Sequence, residues 1–216
     1  MAGHAETAVS RAVKALVDRD DDLARRVKED DSILDQFEIE LDEIAINLLA
    51  KAPLASELRL ITVAMKASHD LERVGDEATT IARRVLELNQ EPPLATMVDI
   101  PDMANQGLQM LRQAIEAFVQ RDSGNARAII PRDKIIDSLN KQLQRECASY
   151  MIEKPATISR CLHLMTISKS LERIADHATN IAEEVVYLYE GRDIRHLPEI
   201  KQGAATAGGK IVGTIE

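Results

Sequence analysis

The chain predicts an all-α protein built as two tandem three-helix bundles, and three observations carry that expectation. Composition comes first: no Trp, 3 Tyr and 2 Phe, with Ala, Leu, Ile, Glu, Arg and Lys dominating, a balance that favours helix. Apolar residues then recur in a three-four alternation over stretches of about thirty residues, the period of one helix face. Finally, the chain repeats itself. "AVKALVDRD" at 12–20 matches "AIEAFVQRD" at 114–122, and "DSILD" at 31–35 matches "DKIID" at 133–137. Pro53 matches Pro155, and "LERVGDEATTIA" from Leu71 matches "LERIADHATNIA" from Leu171. Two copies of half the chain point to duplicated bundles rather than a solenoid.

The elements follow in order. In the first copy, helices are expected at 4–19, 21–51 and 55–89; in the second, at 102–121, 124–153 and 156–190. Pro53 and Pro155 part the second helix of each copy from the third. Pro131 kinks the helix carrying Asp133 or delays its start. "NQEPPLATMVDIP" at 89–101 has three prolines and no helical period, so it reads as a linker. The domains are therefore a first bundle at 1–90, a linker at 91–101, a second bundle at 102–195, and a flexible Gly- and Ala-rich tail at 196–216.

Three seams stand out. The third helix carries Leu60, Ala64, Ala67, Leu71, Val74, Ala78, Ile81, Val85 and Leu88. The sixth carries Leu164, Ile167, Leu171, Ile174, Ala178, Ile181, Val185 and Leu188. The second carries Leu23, Val27, Leu34, Phe37, Leu41, Ile44 and Leu48. These are faces of long antiparallel helices, and a plain structural rod accounts for all of them.

Several classes are disfavoured. A net charge of -9 and the scarcity of aromatics argue against a nucleic-acid footprint. No apolar run approaches the ~20 residues of a membrane span, and the N-terminus lacks the basic-then-apolar layout of a signal peptide. Cys147 and Cys161 form no CxxC motif and read as reduced thiols of a cytoplasmic protein.

The acids carry more information. At ~100° per residue, Glu72 and Asp76 lie about 100° and 140° round from Leu71, and Asp31 and Asp35 about 60° and 100° round from Leu34. Each pair flanks its seam. Asp133 and Asp137 repeat the second-helix pair, and Glu172 and Asp176 repeat the third-helix pair. With 36 acids in 216 residues, chance gives roughly six pairs at this spacing, so one pair is a solvated face. Chance does not give the same two pairs in both copies. Where two such helices pack, four carboxylates converge. Two of them about 5 Å apart cost roughly 3 kcal/mol at an effective dielectric of about 20. A hard or borderline cation with oxygen ligands is the natural counter-charge. Asp31, Asp35, Glu72, Asp76, Asp133, Asp137, Glu172 and Asp176 are the expected metal ligands. His177 stands beside Asp176 and reads as a surface histidine. Arg73 and Arg173 read as salt-bridge partners, Arg73 with Glu77. The Glu-x-x-His pairs of a di-iron bundle are absent.

With these motifs the sequence resembles the PhoU family, the accessory or regulatory proteins of phosphate-specific transport systems. The likeness runs from residue 1 to about 195 and rests on "DSILD", "ERVGD", "DKIID" and "ERIAD" in order. The first helix is shorter here than is usual in that family. The resemblance implies two three-helix bundles and multinuclear metal clusters, with iron or zinc expected and magnesium or manganese the alternatives. It implies a frequent homodimer and a cytoplasmic regulator that restrains phosphate uptake and phosphate-regulon signalling. The partners it implies are the ATPase of the phosphate ABC transporter and a membrane sensor histidine kinase. No nucleophile constellation, Gly-rich phosphate loop or HxxEH spacing stands in the sequence, so no enzyme and no catalytic residue is expected. Two alternatives remain: a metal-dependent phosphoester hydrolase and a metal-free structural bundle.

Overall fold

In the computed structural model, which describes residues 1–51, 54–94, 99–191 and 193–194, all regular structure is helical, and no described residue is in a strand. The helices are α1 (Ala2–Asp18), α2 (Asp21–Glu29), α3 (Ser32–Leu49), α4 (Ala55–Leu88), α5 (Ile100–Gln120), α6 (Ser123–Ile129), α7 (Asp133–Glu153) and α8 (Ile158–Glu190). Pro53, the central linker residues 95–98 and the tail from 195 lie outside the described residues, and with them the expectations placed there.

The repeat is visible in local geometry. Arg19 and Arg121 end α1 and α5 in the left-handed region, at φ 54° and 59°. The aspartate after each caps the next helix: Asp20 accepts from the Leu23 N–H and Asp122 from the Asn125 N–H, both at 2.9 Å. A side-chain oxygen there satisfies one of the free N–H groups of the first turn. Arg19 also donates to the carbonyls of Leu88, Asn89 and Glu91, tying the end of α1 to the start of the linker.

The single second helix expected in each copy is in fact two. In the second half, Pro131 sits in a 3₁₀ turn, Ile130–Arg132, between α6 and α7, because proline offers no N–H to continue the ladder. The first half breaks at the same place without a proline. Asp30 and Asp31 separate α2 from α3, the N–H groups of Ile33 and Leu34 bond three residues back, and Arg11 holds Asp30 at 3.0 Å. Asp and Ser compete with the helix for backbone groups, and "DDS" at 30–32 supplies three such residues in a row. Both breaks fall just before the first motif acid. Asp31 and Asp133 therefore stand at the N-termini of α3 and α7, where the helix dipole favours negative charge.

The α4 and α8 helices form the spine. Each is packed by the other three helices of its own half, and the two run antiparallel against each other. Lys66 meets Glu184 at 2.9 Å, Asp70 meets His177 at 2.8 Å, Glu77 meets Arg173 at 3.0 Å and Glu87 meets His163 at 3.0 Å. One residue number rises along the ladder as its partner falls. Every expected seam residue of α8 is buried, as are those of α4 from Ala67 to Leu88, and one continuous core joins both halves. The first turns of α4 depart: Ile61 and Val63 are buried there, while Leu60 is exposed. The end of α3 departs too, with Ile44 and Leu48 in solvent. Arg73 does not pair with Glu77 as expected, because Glu77 is taken across the spine by Arg173. His177 likewise serves the spine.

One close approach sets the distance of α3 from α4. Leu34 is 3 % exposed, and a Cβ on Gly75 would overlap its Cδ1. Leu34 lies between Asp31 and Asp35, and Gly75 adjoins Asp76, so this contact brings the two acid pairs together. Gly75→Leu should lower the unfolding free energy by about 1–3 kcal/mol through overpacking. Gly3→Ala, where an added Cβ meets nothing within 4 Å, should not destabilise. Urea melts check both, and equal effects would show that α3 has room to spare.

Candidate metal centre

In the first half the four expected acids line the contact of α3 with α4, near enough to act on one another's charge, and of the four only Glu72 falls in a group of three candidate ligands within 4.8 Å. Asp31, half-buried, accepts a 3.0 Å hydrogen bond from Thr79 Oγ1. Its carboxyl is nonetheless held above the ordinary range, first by burial and then by the charges of Asp76 and Asp35, against the pull of Thr79 and Arg83. Glu72 is raised as well, by burial first, then by Asp76, with Glu38 and Asp35 adding to it and Arg73 opposing. Each group feels its neighbours on the other helix, which is the convergence the spacing predicts. Glu72 Oε2 is buried and makes no hydrogen bond. Arg73 contacts it only at 3.5 Å and gives its hydrogen bond to Asp76 at 3.0 Å.

The second half brings together Asp137 of α7 with Glu172 and Asp176 of α8. Asp176 is pushed up by burial, then by Glu172 and Asp137, while Lys169 and His177 pull it down. Asp133 stands half-buried at the start of α7, and Thr179, the counterpart of Thr79, is buried with no hydrogen-bond partner for its hydroxyl. Asp137 pairs with Lys141 at 3.3 Å, and Lys169 pairs with Glu172.

Sequence reasoning missed two residues. Glu38 of α3 and His69 of α4 join Glu72 in a group whose ligand atoms all lie within 4.8 Å of one another. Their signal is the helix period. His69 is three residues before Glu72 and Glu38 three after Asp35, so each shares a face with a motif acid. The spacing is His-x-x-Glu, the reverse of the di-iron pattern. This donor set fits a divalent ion: carboxylate oxygens, one imidazole and an orphaned buried oxygen. No described helix is long and apolar enough to cross a membrane. Cys147 and Cys161 are buried free thiols, and burial with the neighbouring Cys161 pushes Cys147 up to about 12, which leaves a protonated, unreactive thiol at neutral pH.

The raised carboxyls make a signed prediction. A carboxyl whose folded pKa exceeds its unfolded value holds its proton more tightly when folded. Its ionisation therefore subtracts stability as pH rises from the unfolded range, about 4, through the folded value. Without metal, Asp31→Asn, Glu72→Gln and Asp176→Asn should each melt higher than wild type at pH 7, by roughly 1–3 °C. That margin should close toward pH 4. Melting curves in chelator at both pH values measure it, and a margin independent of pH would mean the acids are not strained.

Known proteins share the sequence and the fold of this chain. The PhoU domain matches residues 1–85 and 100–185. The chain is 41% identical over 218 residues to the phosphate-specific transport system accessory protein PhoU homolog of Pseudomonas putida, covering 100% of this chain and 85% of that protein. It is 35% identical over 198 residues to the accessory protein PhoU of Escherichia coli K12, covering 91% and 82%. The crystal structure of PhoU from Pseudomonas aeruginosa superposes with a TM-score of 0.86 at 41% identity, over 89% of this chain and 93% of that one. The phosphate transport system regulatory protein PhoU from Streptococcus pneumoniae gives 0.84 at 30% identity, over 89% and 91%. Sequence, repeat and fold agree, and the chain belongs to the PhoU family.

Proposed function

We propose that the protein is a metal-binding, non-enzymatic regulator of phosphate uptake and phosphate-regulon signalling. The family supports a role beside a phosphate transport system, since the relatives carry that description by name. The observation that carries the metal half of the proposal is the crowding of desolvated carboxylates at one place in each half. Bound cations would supply the missing positive charge and link α3 to α4, with Asp31, Asp35, Glu72 and Asp76 as their motif acids in the first half. Asp133, Asp137, Glu172 and Asp176 would serve the second half. The chain's own residues do the rest: Leu34 and Gly75 fix the approach, and Thr79 orients Asp31.

Within this proposal the protein works in the cytoplasm as an adaptor between the transporter ATPase and the sensor histidine kinase, as a homodimer. Exposed Ile39, Ile44, Ile46 and Leu48 on α3 are apolar surface of the kind that partner contacts cover. Absence of a nucleophile or phosphate loop from the sequence favours regulation over phosphoester hydrolysis.

Two outcomes are expected. Deleting the gene should derepress phosphate uptake in phosphate-rich medium; an unchanged response in a strain without a second copy of the gene would refute the regulatory role. Replacing Glu72 and Asp76 with Ala should lower metal content per chain, read by elemental analysis, and reduce the loss of melting temperature on adding chelator. Metal content equal to wild type would remove these acids from the site.

A further inference from the structure

We infer that the two acid clusters are unequal cation sites: the first half holds its ion with Glu38, His69 and Glu72, whereas in the second half the Lys169 ammonium already fills the corresponding place. This inference rests on the metal-binding proposal above and makes it specific to one half.

The repeat supplies the comparison. His69 corresponds to Lys169, Glu72 to Glu172 and Glu38 to Asn140. In the first half His69 Nδ1 lies 3.0 Å from Glu38 Oε1, and both lie within 4.8 Å of a Glu72 oxygen. Ligands of one zinc ion stand at most about 4 Å apart, so small side-chain rotations close the set, with the ion in place of the His69–Glu38 contact. A polar depression of about 540 Å³, lined in part by Glu38, Asp42, His69 and Asp70, leads up to it. The cation paired with Glu72 in this half, Arg73, is half exposed, stands 3.5 Å from Glu72 Oε2 and makes no hydrogen bond to it.

The second half has lost two of the three donors. Asn140 is buried, and its Oδ1 accepts from Ser168 Oγ at 2.9 Å and Gln144 Nε2 at 3.3 Å; it serves the core and offers no charge. Lys169 sits on Glu172, whose side chain is 9% exposed. An ammonium has three N–H donors and no lone pair, so it neutralises the carboxylate and cannot ligate a metal. A second ammonium, Lys141, holds Asp137, and the first half has Ile39 at that place. An ion entering the second cluster must displace tethered positive charge before it meets Glu172, and its affinity falls accordingly.

Zinc titration of the metal-stripped full chain by calorimetry tests this. Wild type should show one tight event and, at least tenfold weaker, any further binding. His69→Lys, which transplants the second-half residue onto a half-exposed position, should weaken the tight event at least tenfold, and Glu38→Gln should weaken it in the same direction. Lys169→His should strengthen the weaker binding. Circular dichroism confirms that each variant is helical, and a melt in chelator shows that His69→Lys is at least as stable as wild type without metal. Two equal events in wild type, or a tight event untouched by His69→Lys and Glu38→Gln, would overturn the inference while leaving the metal proposal standing. No zinc binding by wild type would overturn both.

Discussion

Apolar packing holds like charges together in this protein, and the rest of the structure follows from that opposition. Leu34 is pressed against Gly75 by the core beneath it, and this contact keeps the backbones that carry the flanking acids close together. Burial and mutual repulsion raise Asp31 and Glu72. An ordinary solvated acidic face relaxes by letting its side chains splay into water. Here the breaks between α2 and α3 and between α6 and α7 fix where the first acid of each half stands, and the long α4 and α8 fix the second pair. Under the proposed function, the counter-charge for this arrangement comes from outside the chain, as a bound cation.

Much of this was legible in the sequence, and unevenly so. The α8 seam was readable in full because a helix packed along its whole length shows one unbroken period. The outer ends of α3 and α4 were not, since Ile44, Leu48 and Leu60 keep the period while facing solvent, and a period records amphipathicity without saying what covers the face. The break before α7 was signalled by Pro131. Its partner at Asp30 was hidden, because aspartate and serine break a helix only through local hydrogen bonds. The eight acids were found by repetition. Glu38 and His69 were passed over for the same reason, since they do not repeat: Asn140 and Lys169 stand opposite. Arg73 and His177 were misplaced because spacing within one helix says nothing of the antiparallel helix beside it, which claims Glu77 and Asp70.

That spine gives the duplicated halves a physical connection. Polar pairs run along the α4–α8 contact, with Glu184 buried beside Lys66. The acid clusters lie on helices that share this spine, so an ion that tightens α3 onto α4 acts on a helix in direct contact with the other half. The duplication then provides two related places, and divergence has left them with different resident charges.

The most direct measurement is anomalous diffraction from crystals grown with manganese or zinc. The account predicts strong anomalous density between α3 and α4, in contact with Glu72 and other motif carboxylates. Density confined to other surfaces, or none at either cluster at saturating metal, would contradict it and leave the acids as a strained face without a ligand.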